Sequence, residues 1–335
     1  VPASKRKRTN LEAAPSPDIY GLGEATMANT FSSGCTLLDC VLGGGWAKKR
    51  FANIIGDKST GKTLLAIEAC ANFVAENPTG KVVYAETEAA FDRQYASTLG
   101  LPLERVEFPE VFTIEQLYAD IEQRLSNTEP TLYIVDSMDA LSDDKEMSRN
   151  MTDASYGGDK AKKISEWMRK QQKRMMNSNM TIIIVSQIRD NIGVMFGKKH
   201  NRSGGHALDF YASHCIWLKY KGKIESTRKG VKRTTGVKVR AICEKNKIGP
   251  PFRECEFSLV FGYGVDDAHA GLSWLIEVKR TEDLGISLVD ATKLLKSLDK
   301  LGNDDYTEKR EHINEAVKKV WAEIEKSFAP TRSKY

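Results

Sequence analysis

Phe51-Ala52-Asn53-Ile54-Ile55-Gly56-Asp57-Lys58-Ser59-Thr60-Gly61-Lys62-Thr63 is the stretch whose reading decides the fold. Its last eight residues satisfy G-x-x-x-x-G-K-[ST]. An apolar run precedes them, and a segment with helical spacing (Leu65, Ala69, Phe73) follows over 62–74. Glycines at the first and sixth positions let the backbone curl until successive N–H groups face one anion. The helix N-terminus adds its positive end. Gly56, Asp57, Lys58, Ser59, Thr60, Gly61, Lys62 and Thr63 therefore read as a phosphate-binding loop. Lys62 is placed to reach the β- and γ-phosphates and Thr63 to hold a cation, which implies ATP and Mg²⁺ as cofactors.

Outward from this loop the chain alternates between two patterns. Short apolar runs over 51–55, 81–85, 131–135 and 181–185 read as strands, and 114–125 and 160–176 read as helices. Buried strands separated by helices predict a mostly parallel, twisted sheet covered on both faces, an α/β fold. After Ser213 the pattern changes. Strands over 215–220, 236–244 and 254–260 follow without long helices between them, which predicts an antiparallel extension of the sheet. A small C-terminal α+β domain is expected over 266–335, ending in an amphipathic helix with Ile313, Val317, Val320 and Ile324 on one face. Residues 1–30, with Pro2, Pro15, Pro17 and Lys5-Arg6-Lys7-Arg8, read as a basic arm or linker, leaving 31–265 as the core.

Three further carboxylates bear on phosphate chemistry. Asp136 ends the run Leu132-Tyr133-Ile134-Val135, where a carboxylate beside the phosphate loop orients a Mg²⁺ shell. Glu86 and Glu88 lie just beyond the strand over 81–85, and alternation puts them on one side. One of them can serve as the base that places a water and the other as its support.

The chain has 335 residues, 41% hydrophobic and 28% charged, with a net charge of +5. That composition fits a globular protein. No apolar run approaches the roughly 18 residues of a membrane span, and a cytoplasmic location with no membrane partner is expected. None of the six cysteines forms a C-x-x-C pair, so buried free thiols are expected rather than a zinc site or a disulfide framework. The excess of positive charge gathers over 162–174, 198–202 and 219–240, which suits a polyanionic partner.

The stretches Gln187-Ile188-Arg189, Ile192-Gly193-Val194-Met195-Phe196-Gly197, Gly204-Gly205, Phe210-Tyr211-Ala212-Ser213 and Lys245-Asn246-Lys247-Ile248 resemble the RecA family of DNA recombinases. Bacterial RecA and phage UvsX-like strand-exchange proteins belong to that family. The resemblance runs from about Ser33 to Gly264. It implies a RecA-type P-loop ATPase core in which Glu88 activates water, Asp136 serves the Mg²⁺ and Gln187 senses the γ-phosphate. Asp92 and Tyr95 fall where the family contacts adenine. Lys245 and Lys247 fall where it reaches ATP on the neighbouring subunit, so the resemblance makes the catalytic site composite.

Two DNA-binding loops are implied, about 149–158 and 188–205. The second carries Arg189 and the apolar group Ile192, Gly193, Val194, Met195 and Phe196. An apolar wedge in a basic loop suits the separation or stacking of bases. Ser165 and Arg169, with Gly204, Gly205 and His206, match the family's phosphate contacts. His206 stands where the family usually has Asn, Lys162 where it has Arg, and Glu86-Thr87-Glu88 where it has D-x-E. The family's long N-terminal helix and acidic C-terminal tail have no evident counterparts, and Arg332-Ser333-Lys334-Tyr335 ends the chain.

The expected activity is ATP-dependent pairing and exchange of DNA strands, with DNA-stimulated hydrolysis. Expected partners are single-stranded DNA, homologous double-stranded DNA, further copies of the chain in a helical filament, and single-strand-binding and mediator proteins. A ring-forming helicase and a non-hydrolysing DNA-binding filament are the rival readings.

Overall fold

The computed structural model describes residues 29–148, 159–190, 200–201 and 205–332. The chain opens with β1 (Thr30–Phe31), α1 (Thr36–Leu42) and β2 (Trp46–Ala47). The central run follows as β3 (Phe51–Gly56), α2 (Lys62–Glu76), β4 (Lys81–Glu86), α3 (Arg93–Thr98), β5 (Val106–Glu107), α4 (Ile114–Arg124), β6 (Thr131–Asp136), α5 (Asp144–Ser148), α6 (Asp159–Met176) and β7 (Met180–Gln187). Next come β8 (Arg189–Asp190), β9 (His200–Asn201), α7 (Gly205–Tyr211), β10 (His214–Arg228), β11 (Val231–Asn246), β12 (Arg253–Val260) and β13 (Gly264–Val265). The last helices are α8 (Asp267–Glu277), α9 (Leu288–Ser297) and α10 (Asn303–Ser327).

One nine-stranded sheet organises these elements in the order β13-β12-β11-β10-β3-β7-β6-β4-β5. Pairings from β10 through β5 are parallel, and those among β10, β11, β12 and β13 are antiparallel. This is the expected α/β fold with a mixed sheet.

Strand alternation divides the core in two. Ile54, Val82, Tyr84, Leu132, Ile134, Ile183 and Val185 face α1, α2 and the C-terminal helices. Phe51, Ile55, Val83, Ala85, Tyr133, Val135, Ile182 and Ile184 face α4, α6 and α7. Burying both faces favours apolar residues at nearly every strand position, so these strands read as apolar runs, and the buried exceptions Asn53 and Ser186 bond each other at 2.9 Å. Truncating a side chain such as Ile54 to Ala costs about 2–5 kcal/mol. All six cysteines are buried free thiols.

Three departures from the sequence-based expectation have physical reasons. First, β10 and β11 are far longer than the strands predicted over 215–220 and 236–244. Their outer halves carry alternating Lys219, Lys221 and Lys223 in place of apolar residues, so an apolar run does not mark them. The turn Lys229-Gly230, with φ of 51° and 77°, is the two-residue type I′ connection that closes such a hairpin.

Second, the C-terminal segment is not α+β. Among its described residues there are helices and short 3₁₀ turns but no strand. In its last helix the buried apolar residues Ile313, Val317, Val320 and Trp321 recur at helical spacing. α10 packs on α1 and α8, and Ile313, Val317 and Val320 join the cluster on the first face of the sheet. Arg253 donates two bonds to Glu325, at 2.7 and 2.6 Å, joining β12 to α10.

Third, β4 ends at Glu86, and the chain turns through Ala89 at φ 52°. The alternation that placed Glu86 and Glu88 on one side therefore does not extend to residue 88.

Among the described residues, no helix is long and apolar enough to cross a membrane.

Candidate active site

Parallel strands deliver their C-terminal ends to one edge of the sheet, and the phosphate loop leaves β3 there. Two glycines are required sterically. A Cβ on Gly56 would lie 2.6 Å from Thr60 Oγ1 and 2.9 Å from the Leu218 carbonyl oxygen. On Gly61, at φ +80°, a Cβ would lie 2.1 Å from Leu259 Cδ1. Gly61 is also the N-cap of α2 and offers no side-chain cap. The first N–H groups of this helix have no intrahelical acceptors. Inside the loop, Thr60 Oγ1 donates to the Asp57 carbonyl at 2.9 Å and Lys62 Nζ donates to the same oxygen at 2.7 Å.

Burial lowers the Lys62 pKa, and the nearby charges of Asp136, Glu88, Asp57 and Asp139 oppose that shift. A desolvated ammonium beside an uncapped helix end is a site for a polyanion. Asp136 is 2% exposed and accepts a bond from Tyr84 Oη at 2.8 Å. Burial raises its pKa, while hydrogen bonds from Thr63 and Tyr84 and the charge of Lys62 pull it down. Thr63 and Asp136 thus lie near each other, and both offer oxygens of the kind that a Mg²⁺ shell uses. The residues present therefore fit ATP and Mg²⁺.

The end of β7 completes the arrangement. Gln187 Nε2 donates to both Glu88 oxygens, at 2.7 and 2.8 Å, and Ser137 Oγ donates to Glu88 Oε1. Thr87 fixes the bend that aims Glu88 there. Its N–H donates to the Asp136 carbonyl, its hydroxyl donates to the Ser137 carbonyl, and it accepts from the Ser137 N–H, each at 2.8 Å. Glu86 is engaged elsewhere, accepting the Phe91 N–H at 2.6 Å. Of the two glutamates, Glu88 meets Gln187 and Glu86 bonds the Phe91 N–H.

Asp92 and Tyr95 are held differently. Asp92 is exposed and caps α3 by accepting the Tyr95 N–H at 2.8 Å. Tyr95 is 3% exposed, and its hydroxyl donates to Glu68 at 3.2 Å, so its ring belongs to the core.

Lys245 and Lys247 lie together but away from this edge. Their ammonium groups bind the end of α7: Lys245 on the carbonyls of Asp209 and Phe210, and Lys247 on that of Tyr211 at 3.2 Å. Lys245 pairs with Cys215, which pairs with Asn53, three residues before Gly56. That offset is about 10 Å along the strands and about 10 Å across two strand spacings. Burial lowers the pKa of both lysines.

The RecA N-terminal domain family matches residues 18–266. The chain is 34% identical over 249 residues to Protein RecA of Synechococcus sp. (strain CC9902), covering 74% of this chain and 64% of that protein. It is 34% identical over 272 residues to Protein RecA of Trichormus variabilis, covering 81% and 72%, and 33% identical over 249 residues to Protein RecA of Synechocystis sp., covering 74% and 69%. The chain belongs to the RecA family. It spans 64–72% of the length of these RecA relatives.

The elements that the RecA resemblance assigns to DNA are placed in part. Ser165 and Arg169 sit one turn apart on α6, with Ser165 half-buried and Arg169 exposed. The opposite face of α6 buries Ile164, Trp167, Met168 and Met175, which fixes its rotation. Arg189 pairs with Asn201 across β8 and β9, so the roots of the second loop run side by side. Gly205 and His206 open α7. The first loop over 149–158, residues Ile192, Gly193, Val194, Met195 and Phe196 of the second loop, and Gly204 lie outside the described residues.

Sequence reading missed Tyr84, Thr87, Ser137 and Asp139. Of these, only Ser137, adjacent to Asp136, carried a local signal.

Proposed function

We propose that this protein is an ATP-dependent recombinase that assembles on single-stranded DNA, pairs it with homologous double-stranded DNA and exchanges strands. One observation carries the reading: the amide of Gln187, at the root of the second loop, holds both oxygens of Glu88, the water-activating candidate. Such a contact gives a DNA-binding loop direct control over a catalytic base. RecA-family membership supports the general recombinase and ATPase role.

In this mechanism α2 and the phosphate-loop amides cradle the phosphates, and Lys62 follows the charge that develops on the γ-phosphoryl. Thr63 and Asp136 would hold Mg²⁺, which would supply neutralisation of the phosphate oxygens. Glu88 takes a proton from the attacking water. In the state described here, Gln187 and Ser137 occupy that carboxylate, so Gln187 must turn away for Glu88 to act. Movement of the second loop on DNA supplies that release. Asp92 contacts adenine from the exposed end of α3, while Tyr95 supports the helix from beneath.

Lys245 and Lys247 lie too far from the phosphate loop of their own chain to serve it. Their catalytic role therefore requires a second copy, and a helical filament supplies one. ATP hydrolysis and assembly are coupled in this way. Ser165, Arg169, Gly204, Gly205 and His206 hold phosphates, while Arg189 and the group from Ile192 to Phe196 meet bases. Base pairing supplies recognition of homology.

We retain the division into an arm (1–30), an ATPase core (31–265) and a C-terminal unit (266–335), together with a cytoplasmic location and single-strand-binding and mediator proteins as further partners.

Strand exchange with ATP and with a non-hydrolysable analogue tests the reading. Exchange between homologues with either nucleotide supports it. Unwinding without exchange points to a ring-forming motor, and DNA binding without turnover points to a passive filament.

A further inference from the structure

The turn after β6 contains an acidic side chain that the mechanism above leaves unused. Asp139 is 8% exposed and lies three residues beyond Asp136. Its Oδ2 accepts the backbone N–H of Gln187 at 2.8 Å. That bond stands where a strand carbonyl would otherwise be. The ladder between β6 and β7 ends at the pair Val135 and Ile184, while β3 remains paired with β7 as far as Gly56 and Gln187. A side-chain acceptor thus closes the last position of β7. Rotation of one side chain can release such a bond, whereas a strand carbonyl is released only by parting the ladder.

The same residue is fastened on its other side. Lys160 Nζ donates to the Asp139 carbonyl at 3.3 Å and also to the Leu141 carbonyl. Lys160 stands in the first turn of α6, the helix that follows residues 149–158. The Met138 N–H donates to the Val185 carbonyl at 3.2 Å and holds the turn against β7. The root of the first proposed loop and the root of the second therefore meet at Asp139, one through its main chain and one through its carboxylate. The backbone of Gln187 is the pivot from which its side-chain amide reaches Glu88.

We propose that Asp139 is a positioning residue that sets the reach of Gln187 from the roots of both DNA-binding loops, and so decides whether Glu88 is held or released. Its charge also acts on Lys62, but its hydrogen bond is to the Gln187 N–H, and it acts through Gln187. The inference rests on the ATPase reading above and deepens it, because it makes the sensing of DNA a joint output of two loops.

The test is steady-state ATP hydrolysis by the full chain with saturating single-stranded DNA, in the unsubstituted protein and in Asp139→Ala, Asp139→Asn and Lys160→Met. Loss of a hydrogen bond to a charged acceptor predicts that Asp139→Ala lowers the DNA-stimulated kcat by about tenfold or more, with the KM for ATP within about twofold. Asp139→Asn, whose carbonyl oxygen can take the same N–H, should restore most of that loss. Lys160→Met leaves Asp139 in place but cuts the tether to α6, and it should lower kcat at constant KM in the same way.

An Asp139→Ala variant with full stimulated turnover overturns the inference. So does an Asn variant no better than Ala, or a fall in kcat with an equal rise in KM, which marks packing damage. If Asp139→Ala fails to fold, Lys160→Met decides: normal stimulated turnover in that variant overturns the proposal. An unsubstituted protein that hydrolyses no ATP overturns the ATPase reading and this inference together. Stimulated turnover that none of the variants alters overturns the inference alone.

Discussion

Replacing Glu88 by Gln removes one proton acceptor and leaves the shape of the site. The carboxylate takes two bonds from Gln187 Nε2, at 2.7 and 2.8 Å, and a third from Ser137 Oγ. A glutamine presents one oxygen and one NH₂ group to the same donors. It keeps part of that network, so the fold and nucleotide binding should survive. Its oxygen cannot take a proton from water. General-base loss costs about 10²- to 10⁴-fold, so kcat should fall by at least about 10², roughly 2.7 kcal/mol in the barrier. Glu86→Gln is the control. Its role is to accept the Phe91 N–H at 2.6 Å, which a glutamine oxygen can also do, so its turnover should stay within about threefold. Phosphate release under saturating ATP and single-stranded DNA reads both variants, and nucleotide titration confirms occupancy. The assignment is refuted if Glu88→Gln retains more than about a tenth of the rate or if Glu86→Gln falls as far.

Lys245→Ala combined with Lys247→Ala should lower DNA-stimulated hydrolysis by about 100-fold or more while the monomer still folds. Mixing that variant with Lys62→Ala should restore part of the rate at interfaces where two intact halves meet, and no recovery at any ratio counts against a shared site. Arg169→Ala should flatten the salt dependence of single-strand binding by up to about one unit per lost phosphate contact, whereas Phe196→Ala should spare the slope and impair exchange. Salt titrations of both variants, run beside an exchange assay, separate these outcomes. Burial between α2 and α3 raises the Glu68 pKa from 4.5 to about 7, so its contribution to stability is fully present below pH 4.5 and is lost as the pH rises through about 7. Glu68→Gln should therefore recover up to about 3 kcal/mol at pH 8 and almost nothing at pH 4.5, read as a gain in melting temperature confined to the higher pH.

What the sequence made legible follows from how local each constraint is. Gly56 and Gly61 are legible because no Cβ fits at either place, and the strand, loop and helix around them lie within a few residues. Asp136 is legible because it terminates an apolar strand. Tyr84 reads only as one more core residue. Its hydroxyl acquires a role through the pairing of β4 with β6, which brings a side chain 52 positions away within 2.8 Å. The same holds for Gln187 and Glu88, 99 positions apart, whose contact the family resemblance implied only as two separate roles. The choice between Glu86 and Glu88 depended on where β4 stops, and strand ends are set by long-range pairing rather than by composition. The helical C-terminal segment was misjudged because its first two helices, Asp267–Glu277 and Leu288–Ser297, are only 11 and 10 residues long, so each presents few turns of periodicity.

The positions of the two sets of cations within one sheet carry the argument further than either set does alone. Lys62 stands at the edge where the parallel strands end, beside Asp136, Glu88 and Gln187. Lys245 and Lys247 stand toward the opposite edge, bonded to the carbonyl end of α7. α7 begins where the second loop closes and ends on these lysines. On the proposed function, a displacement of the loop passes along this seven-residue helix to the groups proposed to serve the next subunit. Gln187, at the other root of the same loop, passes it to Glu88 within the chain. On that reading one loop has two outputs, one to the proposed base of its own chain and one to the phosphates of a neighbour. On this arrangement, occupancy of DNA at one subunit prepares hydrolysis at two. Stimulated turnover should then rise more steeply than in proportion to the fraction of subunits bound to DNA, and a strictly proportional rise would leave the second output without a function.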